Sequence, residues 1–138
     1  MMRALLLALA LAACSSTPTD LPPPQLPQRT GIDPIVAARA EGVVFRAQGA
    51  DFLLHLYRDN RIFVSWEPGA HREQFPVSER TLPAWNGEIY ATRNAHYELR
   101  VEVRHGPCRD PALGDQVFSD TVVVAINGEE RRGCGRAL

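Results

Sequence analysis

The chain has 138 residues, a formal charge of -1, 45% hydrophobic residues, eleven prolines and three cysteines, enough for one folded domain and no more. All fifteen basic residues are arginines, scattered from Arg3 to Arg136. Without a basic stripe, nucleic acid is not an expected partner.

The N-terminus reads MMRALLLALALAAC, with one positive charge at Arg3, an apolar run from Ala4 to Ala13, and then a cysteine. A run this short falls well below the roughly 20 residues that a membrane-spanning helix needs. It reads as an export signal over residues 1–13. The ending LAAC, Leu11 to Cys14, matches the bacterial lipobox, in which the thiol is acylated and becomes the first residue of the mature chain. Bacterial lipoproteins carry three acyl chains, and at about 0.8 kcal/mol per buried CH2 such an anchor is effectively permanent. Ser15 follows the cysteine where an aspartate is the usual inner-membrane retention signal. In a diderm host the expected location is the periplasmic face of the outer membrane.

From Ser15 to Pro34 the chain is polar and holds six prolines without apolar periodicity. Such a segment cannot bury enough surface to fold and stays extended. At about 3.1 Å per residue it reaches up to roughly 60 Å, so residues 14–39 read as a lipidated tether. Asp33-Pro34 ahead of IVAARAEG predicts one helical turn, with Asp33 as N-cap and Pro34 at the first helical position.

The folded domain is expected over residues 40–138. Its clearest alternation is YELRVEVR, with Tyr97, Leu99, Val101 and Val103 on one face and Glu98, Arg100, Glu102 and Arg104 on the other. The charged face predicts cross-strand pairs in water. Weaker alternation marks Val43–Gln48, Phe52–Tyr57, Arg61–Trp66, Glu88–Thr92 and Val117–Ile126. Asp59-Asn60, Asn86-Gly87 and Asn127-Gly128 supply turns, Asn-Gly being suited to a type I′ hairpin. Trp66 and Trp85 flank EPGAHREQFPVSERTLPA, whose Pro68, Pro76 and Pro83 predict irregular loops. The aromatics there suit core packing or contact with a glycan or protein. The fold expected is all-β, a small antiparallel barrel or closed meander of seven to eight strands.

With Cys14 taken by lipid, Cys108 and Cys134 remain as an even pair in an oxidising compartment, which predicts a disulfide. The alternative, a metal or reactive-thiol site with His105, lacks C-x-x-C spacing.

Residues 90–135 resemble a family of small bacterial lipoproteins with the signature C-x-D-x-M-S-G, an aromatic, a Thr-Val strand and a terminal G-C-G. Cys108, Asp110, Gly114, Phe118, Thr121-Val122 and Gly133-Cys134-Gly135 stand at the matching positions, while Ala112-Leu113 replaces Met-Ser. Upstream, Phe45 to Leu56 resembles that family's A-x-G-x-E-P-x-W, with Asp51 in place of the glutamate. The resemblance implies a lipid-anchored, barrel-like domain with the Cys108–Cys134 bridge and no established activity. The plan is also similar to META-type heat-shock lipoproteins and to lipid-anchored inhibitors of c-type lysozyme. The Ser-Gly-Ala-Arg-Tyr-like loop of those inhibitors is absent, the nearest stretch being Leu113 to Gln116.

Physically, Gly114 suits a turn that needs positive φ and Asp110 can accept backbone N–H bonds after Cys108. Asp51, Asp110 and Gly114 are thus either loop-structuring or ligand-binding residues. No H-E-x-x-H, G-x-S-x-G, phosphate-binding glycine loop or Ser-x-x-Lys is present. His55, His71, His96 and His105 follow no metal-ligand spacing, and no metal or other cofactor is expected. The expected function is that of a non-enzymatic, lipid-anchored envelope protein. Its β-domain would bind a protein, glycan or small molecule, or stabilise the envelope. The alternative is inhibition of a lysozyme-type muramidase.

Overall fold

A computed structural model of the chain describes Gly31 and Asp33–Leu138. The export signal, Cys14 and the tether as far as Thr30 lie outside the described residues. The described part opens with a short helix, α1 (Pro34–Ala40), whose N-cap Asp33 accepts the Ile35 N–H at 2.9 Å. Gly42, with φ of 90°, ends it. Ala38 is buried and α1 lies against the first strand. All of α1 but Ala40 falls within the residues 14–39 read as tether. Among the described residues no helix is long and apolar enough to cross a membrane.

Nine antiparallel strands follow: β1 (Val43–Gly49), β2 (Phe52–Tyr57), β3 (Ile62–Trp66), β4 (His71–Phe75), β5 (Glu79–Thr81), β6 (Gly87–Arg93), β7 (Glu98–Cys108), β8 (Phe118–Ile126) and β9 (Glu129–Ala137). They form one sheet in the order β4-β3-β2-β1-β9-β8-β7-β6-β5. In a flat sheet, eight spacings of about 4.8 Å would hold β4 and β5 roughly 38 Å apart. Yet Phe75 and Glu79 are joined by Pro76-Val77-Ser78 alone, a link that reaches only about 14 Å. The sheet must curl, and it does so as a half-barrel. At the seam, side chains replace a backbone ladder: Thr92 Oγ1 donates to Pro76 O at 3.1 Å, and Asn94 Nδ2 donates to Gln74 O at 3.1 Å and to Glu73 Oε2 at 2.9 Å.

The inner face carries one continuous core, running from Phe45, Phe52 and Leu54 through Ile62, Val64, Trp66 and Phe75 to Leu99, Val101, Val122 and Val124. The β1–β9 ladder joins the two ends of the domain, pairing Ala47 with Gly135 and Gly49 with Gly133. These inward positions carry little or no side chain because aromatic rings lie over them. A Cβ on Gly135 would sit 2.5 Å from Phe45 Cζ, and one on Gly133 would sit 2.8 Å from Phe52 Cζ and 2.2 Å from the Gln48 carbonyl oxygen. Glycine lets the rings fill the barrel where the curl is set.

Cys108 and Cys134 form the expected disulfide, tying the end of β7 to β9. Asn127 and Gly128 both have positive φ, 50° and 82°, in the two-residue hairpin between β8 and β9. Asn86-Gly87 forms no such hairpin. Gly87 instead opens β6, where a Cβ would meet Val103 O at 1.9 Å.

The strand count exceeds the seven to eight expected. Two extra strands, β4 and β5, lie inside the stretch expected as loops. Both are edge strands of mostly polar residues, HREQF and ERT, so they lack an apolar alternation, and Pro68, Pro76 and Pro83 fall between strands. β9, to which no range was assigned from the sequence, reads EERRGCGRA, with Arg131, Gly133 and Gly135 at its inward positions. The charges on β7 also pair differently from expectation. Glu102 bonds Arg100 and Arg104 along its own strand, each at 3.0 Å, because its cross-strand partners are Ile89 and Val123.

Gly133→Ala should lower stability by about 2–3 kcal/mol, roughly 10–20 °C in Tm, because the new methyl group meets backbone. Gly128→Ala, with φ of 82° in the Asn127-Gly128 hairpin but open space around it, should cost about 1 kcal/mol. Thermal melts of the two variants check this order, and an equal or reversed effect would count against tight β1–β9 packing.

Candidate functional site

Three polar clusters stand out on this frame, and they differ in whether their charges are neutralised. The first sits at one end of the half-barrel, where β6, β7 and β8 place Glu88, His105 and Asp120 at inward-facing positions beyond the apolar core. His105 Nδ1 meets Asp120 Oδ1 at 2.5 Å and its Nε2 meets Glu88 Oε2 at 3.3 Å. Arg80 donates to Glu88 at 3.1 Å and Ser119 Oγ donates to Asp120 at 2.6 Å. The hydrogen bond to the buried Asp120 raises the His105 pKa, and Glu88 adds to that rise. These residues resemble a Ser-His-Asp set in composition but not in wiring. Ser119 bonds the carboxylate instead of the imidazole, and both ring nitrogens face carboxylates, so no nitrogen is free to take the Ser119 proton.

The second cluster closes the opposite end. Arg131, 8% exposed, is held by Asp51 at 3.1 Å, Glu129 at 3.5 Å and Glu67 at 3.8 Å. The other Glu67 oxygen binds His71 Nε2 at 3.0 Å, and the His71 ring stacks on Trp66 with centroids 4.9 Å apart. A buried guanidinium needs such carboxylates to offset desolvation, and this one has three.

The third cluster is only partly neutralised. On the outer face Arg136 of β9 pairs in register with Arg46 of β1, and Arg46 pairs with His55 of β2. Beside them a cavity of 250 Å³ lies between the start of α1 and the β1–β9 ladder, lined by Arg46, Arg136, Gln48, Gln116, Phe118 and residues 33–35. Arg46 Nε and His55 Nε2 are buried without a hydrogen-bond partner among the described residues. Arg46 and Arg136 are also the two half-buried arginines, and neither has a carboxylate within 4 Å among the described residues. Burial and then the Arg136 charge lower the Arg46 pKa, with Asp33 opposing. Burial and then Arg46 lower that of His55, with Glu41 opposing. We take this groove as the candidate functional site. A larger trough of 470 Å³ crosses Ala91 and Ala125 between Arg93 and Arg100, but small outward side chains account for it and it gathers no buried unsatisfied group.

The sequence-selected residues fall elsewhere. Asp51 pairs with Arg131 at one end, while Asp110 accepts the Ala112 N–H at 2.9 Å and Gly114 turns the same loop with φ of 77°. Asp51 and Asp110 do not converge. Trp66 is buried in the core and Trp85 lies under the Arg104 guanidinium at 4.8 Å. Among the described residues no three His, Cys, Asp or Glu side chains converge as a metal site would require. Sequence reasoning missed Arg46 and Arg136 and weighed His55 only as a metal ligand; for Arg46 and His55 the signal was an outward basic residue in a mostly apolar strand, while β9 offered none for Arg136.

The two perturbed histidines act on stability in opposite directions. The raised His105 pKa contributes stability that is full below about pH 6.5 and is lost as pH rises through the higher folded value, whereas the lowered His55 pKa withdraws stability as pH falls below about 6.5. The Tm advantage of the wild type over His105→Gln should therefore be largest near pH 5.5 and shrink by about pH 8.5. A gap that widens with pH would contradict the ion-pair assignment.

Compared with known proteins, the chain matches no family model, no curated protein and no solved structure.

Proposed function

We propose that this protein is a lipid-anchored, non-enzymatic binding domain of the bacterial cell envelope, held off the membrane by its proline-rich tether and engaging its partner through its outer face. The observation that carries the binding part is the contrast between a filled interior and an uncompensated exterior. The half-barrel core is occupied by its own aromatic and aliphatic side chains, so an apolar guest finds no room inside. The end clusters spend their charge on internal partners, while the groove at Arg46 and Arg136 keeps one positive charge beyond what its acidic neighbour Asp33 offsets. Support for the anchor comes from the lipobox ending at Cys14 and from the six prolines that follow it. The resemblance to small lipoproteins with a terminal G-C-G agrees with the Cys108–Cys134 bridge.

The anchor and the binding role are tested separately. Labelled palmitate should enter the wild-type chain and be lost, together with membrane attachment, in Cys14→Ser. Retention of the label in that variant would remove the anchor from the account. Cross-linking in intact cells should then recover an envelope component with the anchored chain and markedly less of it with Arg46→Gln. Equal recovery with both would rule out the groove as the binding face.

A further inference from the structure

The geometry points to the groove between α1 and the β1–β9 ladder as a binding site for a phosphate group, gripped by Arg46 and Arg136 from adjacent strands with Gln48 and Gln116 as supplementary donors. This rests on the reading of the domain as a binding module, and not on its lipid anchor.

Four observations carry it. Register fixes Arg46 opposite Arg136 across the β1–β9 ladder, so two like charges stand side by side, an arrangement that is unfavourable unless something anionic comes between them. Burial then makes that repulsion harder for water to screen, which agrees with the lowered pKa of Arg46. The Arg46 Nε–H is buried with no acceptor among the described residues, whereas the buried Arg131 on the same sheet is surrounded by Asp51, Glu67 and Glu129. Finally, the 250 Å³ of space beside the pair is lined by amide side chains as well as arginines.

Among the described residues Asp33 is the one acidic residue lining the groove, and one of its carboxylate oxygens accepts from the Ile35 N–H at the start of α1. It leaves the two arginines with one excess positive charge. Two guanidinium forks and two amides offer more donors than a carboxylate's two oxygens can use, but they suit a tetrahedral anion with three or four oxygens. Free phosphate and the phosphodiester of a lipid headgroup share that chemistry.

The test titrates the full chain, in mild detergent at physiological ionic strength, with inorganic phosphate, with water-soluble short-chain phosphatidylglycerol, and with acetate. Saturable one-to-one binding of a phosphate-bearing probe is expected. Arg46→Gln and Arg136→Gln should each weaken it at least tenfold, Arg46→Lys should weaken it less, and Arg93→Gln at the end of β6 should leave it unchanged. The tighter of the two phosphate probes identifies the source as free anion or headgroup. Absence of saturable binding by both, equal binding of acetate, or equal loss in Arg93→Gln would overturn the assignment. Thermal melts of each variant separate lost binding from lost folding, and Arg46→Lys retains the charge if Arg46→Gln unfolds. If phosphate fails while cross-linking still depends on Arg46, the ligand class falls and the binding-module reading stands.

Discussion

The structure depends on the close approach of β1 and β9, the first and last strands. Their ladder runs through Gly49, Gly133 and Gly135, and the Phe45 and Phe52 rings occupy the space that side chains there would fill. Joining the chain's two ends in the middle of the sheet forces β4 and β5 to its edges. The three-residue link between those edges then bends all nine strands round a single core. Neither device suffices alone, since a short link without the glycines would crowd the rings and glycines without the link would leave the sheet free to flatten.

The same ladder organises the outer face. Residues alternate across a strand, so the register that sets Ala47 against Gly135 inside also sets Arg46 against Arg136 outside. Packing and electrostatics are therefore coupled through one register. A slip of β1 by one residue would turn Arg46 inward and Phe45 outward, away from Arg136.

Much of the β architecture was legible because most inward strand positions are apolar. Val43–Gln48, Phe52–Tyr57 and the run through Val101 and Val103 alternate as half-buried strands do, and Asn127-Gly128 marks its hairpin. What escaped was structure held by something other than alternation. β9 presents Arg131 and two glycines inward, and its strand character comes from its neighbours. β4 and β5 are polar because they are edges, and their ends are secured by Thr92 and Asn94 from elsewhere in the chain. The groove was invisible for a related reason: Arg46 and Arg136 are 90 positions apart in sequence, and only the β1–β9 ladder makes them neighbours. Asp51 and Asp110 drew attention through the lipoprotein resemblance; Asp51 pairs with Arg131, and Asp110 shapes a loop, one of the two roles the sequence suggested for it.

The central claim, that the β1–β9 ladder holds the fold together, is tested most directly by residue-resolved amide hydrogen exchange on the folded chain. Amides of Phe45–Gly49 and Gly133–Ala137 that bond across this ladder should exchange in the slowest class, together with those of β8, while β4 and β5 open first. Exchange of the β1 and β9 amides as fast as those of the edge strands would contradict the account, placing the organising contact elsewhere in the sheet.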